Sequence, residues 1–384
     1  MYQIDNNTGI MAELTPPSVS VSTNGIFGNI SLATINGNRY AYGVNNTVSP
    51  GGLVSMYSIN NNSGVLTQLS PSTIGTGSSP NACVAVTTSN GNSYLYVVNV
   101  NNNSLSLYTI DNNTGILTAL STIGFGTPRQ GYPLLVTSIT ISGNSYLSIV
   151  NNARTTIAIY AIDNSTGLLT QTATPLNFGS GNIVYFQTIN NSYLYAGINN
   201  TIRMYAINNS GVLSPLSTPT VSTGQEPSNP SIVTTSNGNQ YLYIPCFTNL
   251  YMYNISNSTG ILTPLSTPSI AGNFRFTATS TINGNNYLHT TRSNFSPVFL
   301  TTYSIDSSGI LTSISALTYN DQNQCLYTQY INGNYYLYGL SLIPNSRSTL
   351  YMFSINSSGV PVAIGSPIDI LGTFNLQQLN FVTI

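Results

Sequence analysis

Eight glycines, Gly9, Gly64, Gly115, Gly167, Gly211, Gly260, Gly309 and Gly359, stand 44 to 55 residues apart along the whole chain. Each follows a strand of one design. Met56-Tyr57-Ser-Ile59, Leu107-Tyr108-Thr-Ile110, Met204-Tyr205-Ala-Ile207 and Met252-Tyr253-Asn-Ile255 are the clearest copies, and Met1-Tyr2-Gln-Ile4 opens the chain with the same pattern. Short runs of β-formers bounded by Asn, Ser and Gly predict antiparallel strands. We call the strand before each glycine c and the one after it d, as in Ile116-Leu117-Thr118. Two further strands, a and b, are joined by Asn-Gly turns at Asn36-Gly37, Asn90-Gly91, Asn237-Gly238, Asn283-Gly284 and Asn332-Gly333. Asn-Gly accepts the positive φ of a type I′ turn, whose twist matches that of the strands it joins.

The unit is therefore a–b–c–d, repeated with the period of a four-stranded propeller blade. No segment carries a 3.6-residue apolar period of helical length. The predicted fold is all-β, a single β-propeller domain over residues 1–384. Strands c, d and a occur eight times and strand b seven times, the last a strand being Leu379-Asn-Phe381-Val-Thr-Ile384. Eight blades with one lacking strand b, the ring closed by N- and C-terminal strands, is the first reading. Seven blades with spare terminal strands is the alternative. An internal methionine taken as the start accounts for the missing strand and for the lack of a leader. A strand from a neighbouring subunit would fill the same gap, with Met1, Tyr2, Ile4, Phe381 and Ile384 as the expected contacts.

Composition narrows the function. Charged residues are 4% of the chain, all seven basic residues are Arg, and the formal net charge is −1. A chain without a basic cluster is a poor ligand for phosphate backbones, so nucleic-acid binding is not expected. There is no 18-residue apolar run for a membrane helix. Cys83, Cys246 and Cys325 are far apart and lack zinc spacing, so buried free thiols are expected. Asn-x-Ser/Thr acceptors are dense and include Asn29, Asn45, Asn112, Asn199, Asn254 and Asn294, which makes glycosylation an expectation.

Tyr94-Leu-Tyr-Val-Val-Asn99, then Ser106-Leu-Tyr-Thr-Ile-Asp111, then Thr114-Gly-Ile-Leu-Thr118 resembles the repeat of the lactonase-type propellers, the 6-phosphogluconolactonase-like group, and of the YVTN-repeat propellers of prokaryotic surface proteins. The resemblance runs over the whole chain but rests on framework residues. Where such repeats carry a Ser-Pro-Asp-Gly turn, this chain has Ser89-Asn-Gly or Ser236-Asn-Gly. It implies four-stranded blades, and lactone hydrolysis where polar groups on the central face persist.

Few residues offer chemistry. His289 is the one histidine and lies within a b strand, where a structural role is expected. Asp5, Asp111, Asp163 and Asp306 open the c–d turns. Asn60, Asn208 and Asn356 replace them elsewhere, which points to side-chain oxygens capping backbone amides and not to a calcium loop. The a–b and c–d turns put these aspartates and Arg39 on one rim. The opposite rim receives Arg129, Arg154, Arg292, Arg347, Glu226, Asp321 and Asp369. Arg203 and Arg275 sit within strands. No catalytic, cofactor or metal residue is singled out. The resulting expectation is a non-enzymatic extracellular or cell-surface interaction propeller, self-associating through terminal strands or stacked faces. A lactonase-type hydrolase and a carbohydrate- or receptor-binding propeller are the alternatives.

Overall fold

The computed structural model describes residues 2–15, 26–46, 51–125, 133–151, 154–179, 181–291, 298–319, 323–342 and 348–370. Every regular element in it is a strand. Seven sheets carry the order a–b–c–d, antiparallel throughout: sheet 2 (residues 26–75), sheet 3 (80–124), sheet 4 (133–177), sheet 5 (183–222), sheet 6 (231–271), sheet 7 (276–319) and sheet 8 (323–370). Sheet 1 is the hairpin of Tyr2–Ile4 with Met11–Glu13, a c–d pair. The first strands of sheets 2 and 3, 3 and 4, 6 and 7, and 7 and 8 lie against one another. Strand a is thus the inner strand and d the outer one, the radial order of a propeller blade. The all-β blade architecture matches the reading from periodicity. The terminal strand expected at 379–384 lies outside the described residues.

The core sits between sheets. Tyr42, Val44, Val54 and Met56 of sheet 2 pack on Cys83, Leu95, Val97 and Tyr108 of sheet 3, all buried. Alternation along b and c strands sends side chains to both faces, and both faces are covered, so these strands read as continuous apolar runs. All three thiols are free and buried, as expected, and burial pushes each up to about 12.

One contact recurs around the disc. The first tyrosine of strand b lies flat against the c–d glycine of the next sheet: Tyr40 on Gly115, Tyr94 on Gly167, Tyr146 on Gly211, Tyr193 on Gly260, Tyr241 on Gly309, Tyr287 on Gly359 and Tyr336 on Gly9. The second tyrosine donates its hydroxyl to that glycine's carbonyl, as Tyr42 does to Gly115 at 2.8 Å and Tyr96 to Gly167 at 2.9 Å. A buried carbonyl left without such a donor would cost about 1–3 kcal/mol. The last link joins the two ends of the described chain. Tyr336 and Tyr338 of sheet 8 donate to Asn7 and Gly9 of sheet 1, at 2.9 and 3.0 Å, and Ile4 and Met11 pack on the core of sheet 8.

Sheet 4 breaks the rule informatively. It carries Ser148 where the second tyrosine belongs. The serine hydroxyl is buried without a partner among the described residues, and Thr172 of its own sheet donates to Gly211 instead, at 3.2 Å. The flank of sheet 2 that no b-strand tyrosine covers among the described residues has only a small cluster of Ala41, Tyr57 and Ile59, with Leu66 half-exposed. The counterparts Leu117 and Leu262 are buried.

Candidate functional site

The turn rim is built from short polar side chains. Asp111 Oδ1 accepts the amides of Asn113 and Thr114, at 3.0 and 2.8 Å, and the Thr114 hydroxyl at 2.8 Å. Asp5 and Asp163 repeat the arrangement with Thr8 and Thr166. Hydroxyl and amide donors favour the ionised carboxylate and hold all three below the usual aspartate range. Asn60 caps the amides of Asn62 and Ser63 in the same way, at 2.9 Å each. One oxygen of each side chain is committed to the turn, so these are caps, as the replacement of Asp by Asn predicts. No cluster of three His, Cys, Asp or Glu side chains suited to a metal occurs among the described residues.

In sheets 2, 3 and 6 the residue after the cap ties this turn to the a–b turn of the same sheet, whereas Asn164 and Asn209 bond Ser89 and Ser142 in the a–b turns of the neighbouring sheet. Asn112 donates its side-chain amide to Gly91 O at 2.8 Å, Asn61 to Gly37 O at 2.9 Å and Asn257 to Gly238 O at 3.0 Å. Both turns therefore share one rim, as expected. These contacts also explain the density of Asn-x-Ser/Thr triplets. At Asn112-Asn113-Thr114 the asparagine holds the neighbouring turn while the threonine holds the cap, so the triplet follows from turn chemistry. We predict that peptide mapping of protein made in a glycosylating host will find Asn112 bare, and high occupancy there would contradict this account.

The other acceptor positions divide. Asn45 is completely buried, so the folded chain does not expose it. Asn29 and Asn254 are half-buried, Asn199 is exposed, and Asn294 lies outside the described residues. Among the expected subunit contacts, Tyr2 and Ile4 belong to the hairpin of sheet 1, and Ile4 is already packed within the molecule. Met1, Phe381 and Ile384 lie outside the described residues.

On the opposite face, charged residues gather where the innermost strands begin. Arg154 follows strand b of sheet 4, and its carbonyl accepts the amide of Ile183, the first residue of strand a of sheet 5. Exposed Glu226 precedes strand a of sheet 6, beside the bridge between Pro227 and Cys246. Arg275 immediately precedes strand a of sheet 7, and its guanidinium lies 5.4 Å from the centre of the Phe276 ring. Arg203, within strand c of sheet 5, lies 5.2 Å over the Phe178 ring. Stacking of this kind keeps the charge solvated while the stem is packed. Asp369, in the split outer strand of sheet 8, accepts the Thr349 hydroxyl at 3.3 Å. Arg129, Arg292, Arg347 and Asp321 lie outside the described residues.

His289 is shut off from solvent, two residues before Thr291, whose carbonyl accepts the Arg275 amide. It is fully buried in strand b of sheet 7, at the position of the second tyrosine. Nε2 lies 2.9 Å from the Ser280 hydroxyl and Nδ1 3.0 Å from that of Thr302. Burial away from any counter-charge pushes its pKa down to about 3, so it is a neutral structural group, as expected from its place in a strand.

Residues 1–186 match the family Lactonase, 7-bladed beta-propeller. No curated protein matches in sequence. Among solved structures, the periplasmic gluconolactonase PpgL of Pseudomonas aeruginosa is similar at 15% identity and a TM-score of 0.51, over 90% of this chain and 96% of its own. A candidate 6-phosphogluconolactonase of Bacteroides fragilis is 16% identical at a TM-score of 0.51, over 92% of this chain and 97% of its own. Sqt1 of Saccharomyces cerevisiae reaches a TM-score of 0.59 at 14% identity, over 88% and 84%. At these identities the likeness is one of fold. The chain has a β-propeller fold, and its first half, residues 1–186, is similar in sequence to the lactonase propellers.

Proposed function

We propose that this propeller hydrolyses lactones on the face where the innermost strands begin. The family match over residues 1–186 carries the reading. Opening a lactone needs a base for water and a positive group for the oxygen that gains charge. Among the described residues of that face, Glu226 is the carboxylate assigned to activate water, and Arg154 and Arg275 are the cations nearest the starts of the innermost strands. The turn-rim aspartates are committed to caps, and His289 is buried and neutral, so neither serves. The test follows proton release from sugar lactones, including glucono-1,5-lactone and its 6-phosphate, with and without a divalent metal. Wild-type protein should exceed the buffer rate, Glu226→Gln should lose about 100-fold or more, and Asp111→Asn should keep its activity. A wild-type rate equal to buffer on every lactone, metal or not, overturns the reading.

A second reading, a glycan-binding propeller at the cell surface, draws on one observation. Tyr330 is 57% exposed and its ring lies 4.7 Å from that of Tyr335 across the Asn332-Gly333 turn, an aromatic face of the kind sugars stack on. The lysine-free, neutral polar surface favours the same exposed location.

A further inference from the structure

A propeller blade leaves its outermost strand with one open edge, a row of unpaired amides and carbonyls that another chain can pair with. Proteins protect such edges with charge, proline, bulges or short strands. This chain has no lysine and places no charge on most of its outer strands, so proline and bulges carry the protection. The sheets differ sharply here. In sheet 2, four residues that include Pro71 face the single residue Met56, between the pairs Gln68–Tyr57 and Thr73–Ser55. Sheets 5 and 6 repeat this opposite Met204 and Met252, with Pro215 and Pro219 in one outer strand and Pro264 and Pro268 in the other. In sheets 4 and 8 the outer strand is cut into two short pieces, with Pro175 or Pro367 between them.

Sheets 3 and 7 lack proline, the wide bulge and the cut. Their outer strands, Leu117–Gly124 and Leu311–Tyr319, contain no proline and no charge, and each is interrupted by one extra residue only. Those residues are Leu120 and Ile314, each 38% exposed, whereas Leu69, Leu216 and Leu265 in the protected strands pack against the core. Among the described residues each strand pairs on one side only, Leu117–Gly124 with Ser104–Ile110 and Leu311–Tyr319 with Val298–Ile305. Their placement is also special. Following the tyrosine contacts, sheet 7 is four sheets after sheet 3. The same contacts run on from sheet 7 to sheet 8 and from sheet 8 to sheet 1.

We propose that these two outer strands are self-association edges, through which a second copy of the chain adds antiparallel strand to strand. Two copies of one neutral, proline-free strand type meet without like-charge repulsion, and Leu120 and Ile314 are covered as they do so. Edges on two blades four sheets apart cannot both be satisfied within one dimer, so pairing continues beyond two copies into a row of discs. The occupant is another copy and not an unrelated peptide because the two unprotected edges match each other in length, polarity and bulge.

The sister sheets supply the test. Pro215 and Pro264 pair with Tyr205 and Tyr253 at the register where Ala119 pairs with Tyr108 and Ser313 with Tyr303. Ala119→Pro and Ser313→Pro therefore introduce a residue that the same repeat position already accepts. In sedimentation across a concentration series, wild-type mass should rise above the 41.0 kDa of one chain, and the double variant should stay there. Single variants that stop at dimers indicate like-with-like pairing. Single variants that are monomeric alone but dimerise when mixed indicate pairing of one edge with the other. Either supports the proposal. Far-ultraviolet circular dichroism checks the fold, and Thr118→Lys with Thr312→Lys repeats the test without touching the backbone. A wild-type chain that remains monomeric throughout, or a folded double variant that associates like wild type, overturns it.

Discussion

Gly115→Ala should destabilise the propeller by about 3 kcal/mol or more, with a fall in the urea midpoint and little change in slope. Two costs add at this position. The backbone has φ of +71°, which a residue with a Cβ adopts at a cost of about 1–2 kcal/mol. The new Cβ would also stand 2.2 Å from Tyr40 Cδ1 and 2.3 Å from its Cε1. Tyr40 cannot simply turn aside, because its hydroxyl donates to Asn113 O at 2.9 Å and Tyr42 beside it donates to Gly115 O. Forcing a methyl group into such packing costs typically 1–3 kcal/mol. Gly91→Ala separates the terms. Its φ is +87°, but nothing stands within 4 Å of the added Cβ, so it should show the backbone cost alone. If the two substitutions cost the same, the ring face of Tyr40 is not a steric lock between sheets. In Tyr40→Ala, the added cost at Gly115 should shrink to that at Gly91.

The glycine period and the b-strand tyrosines were legible in the sequence because one contact uses both. A glycine with positive φ also leaves room for the ring of the preceding sheet. The polar turns were legible too, since Asp, Asn and Ser exchange freely at a cap that needs one oxygen. The outer strands were not. Leu66-Thr-Gln-Leu69, Leu117-Thr-Ala-Leu120 and Leu262-Thr-Pro-Leu265 share a pattern, yet only pairing shows four residues bulged in the first and third and one in the second. Burial of Asn45 was equally hidden, because a triplet reports chemistry and not which face of a strand it occupies. Arg154 and Glu226 stand in the loops before the inner strands, where topology put them. The ring under a strand arginine, such as Phe178 under Arg203, comes from another part of the chain and is fixed by tertiary contact alone.

His289 should make the fold acid-sensitive in a window of its own. The unfolded chain presents an ordinary imidazole that takes up a proton near pH 6.5, whereas burial in the folded chain pushes that event down to about 3. Between these values the unfolded state holds one more proton than the native state. Stability is therefore complete above pH 6.5 and falls as pH is lowered toward 3. The slope is about 1.4 kcal/mol per pH unit, so about 2–3 kcal/mol should be lost by pH 4.5. The capping aspartates also act in acid, but their native pKa values lie below the ordinary aspartate range, so their contribution begins to fall only near pH 4. His289→Gln keeps an amide to meet the Ser280 and Thr302 hydroxyls but has nothing to titrate. Urea midpoints at intervals from pH 7 to 4.5 should fall for wild type and stay flat for that variant. Asp111→Asn, by contrast, should follow wild type in this window and diverge only in stronger acid. Parallel declines in wild type and His289→Gln would mean that the imidazole does not control acid stability. A decline confined to wild type would identify a buried base, held between two hydroxyls at a tyrosine position, as the group through which this nearly uncharged protein senses pH.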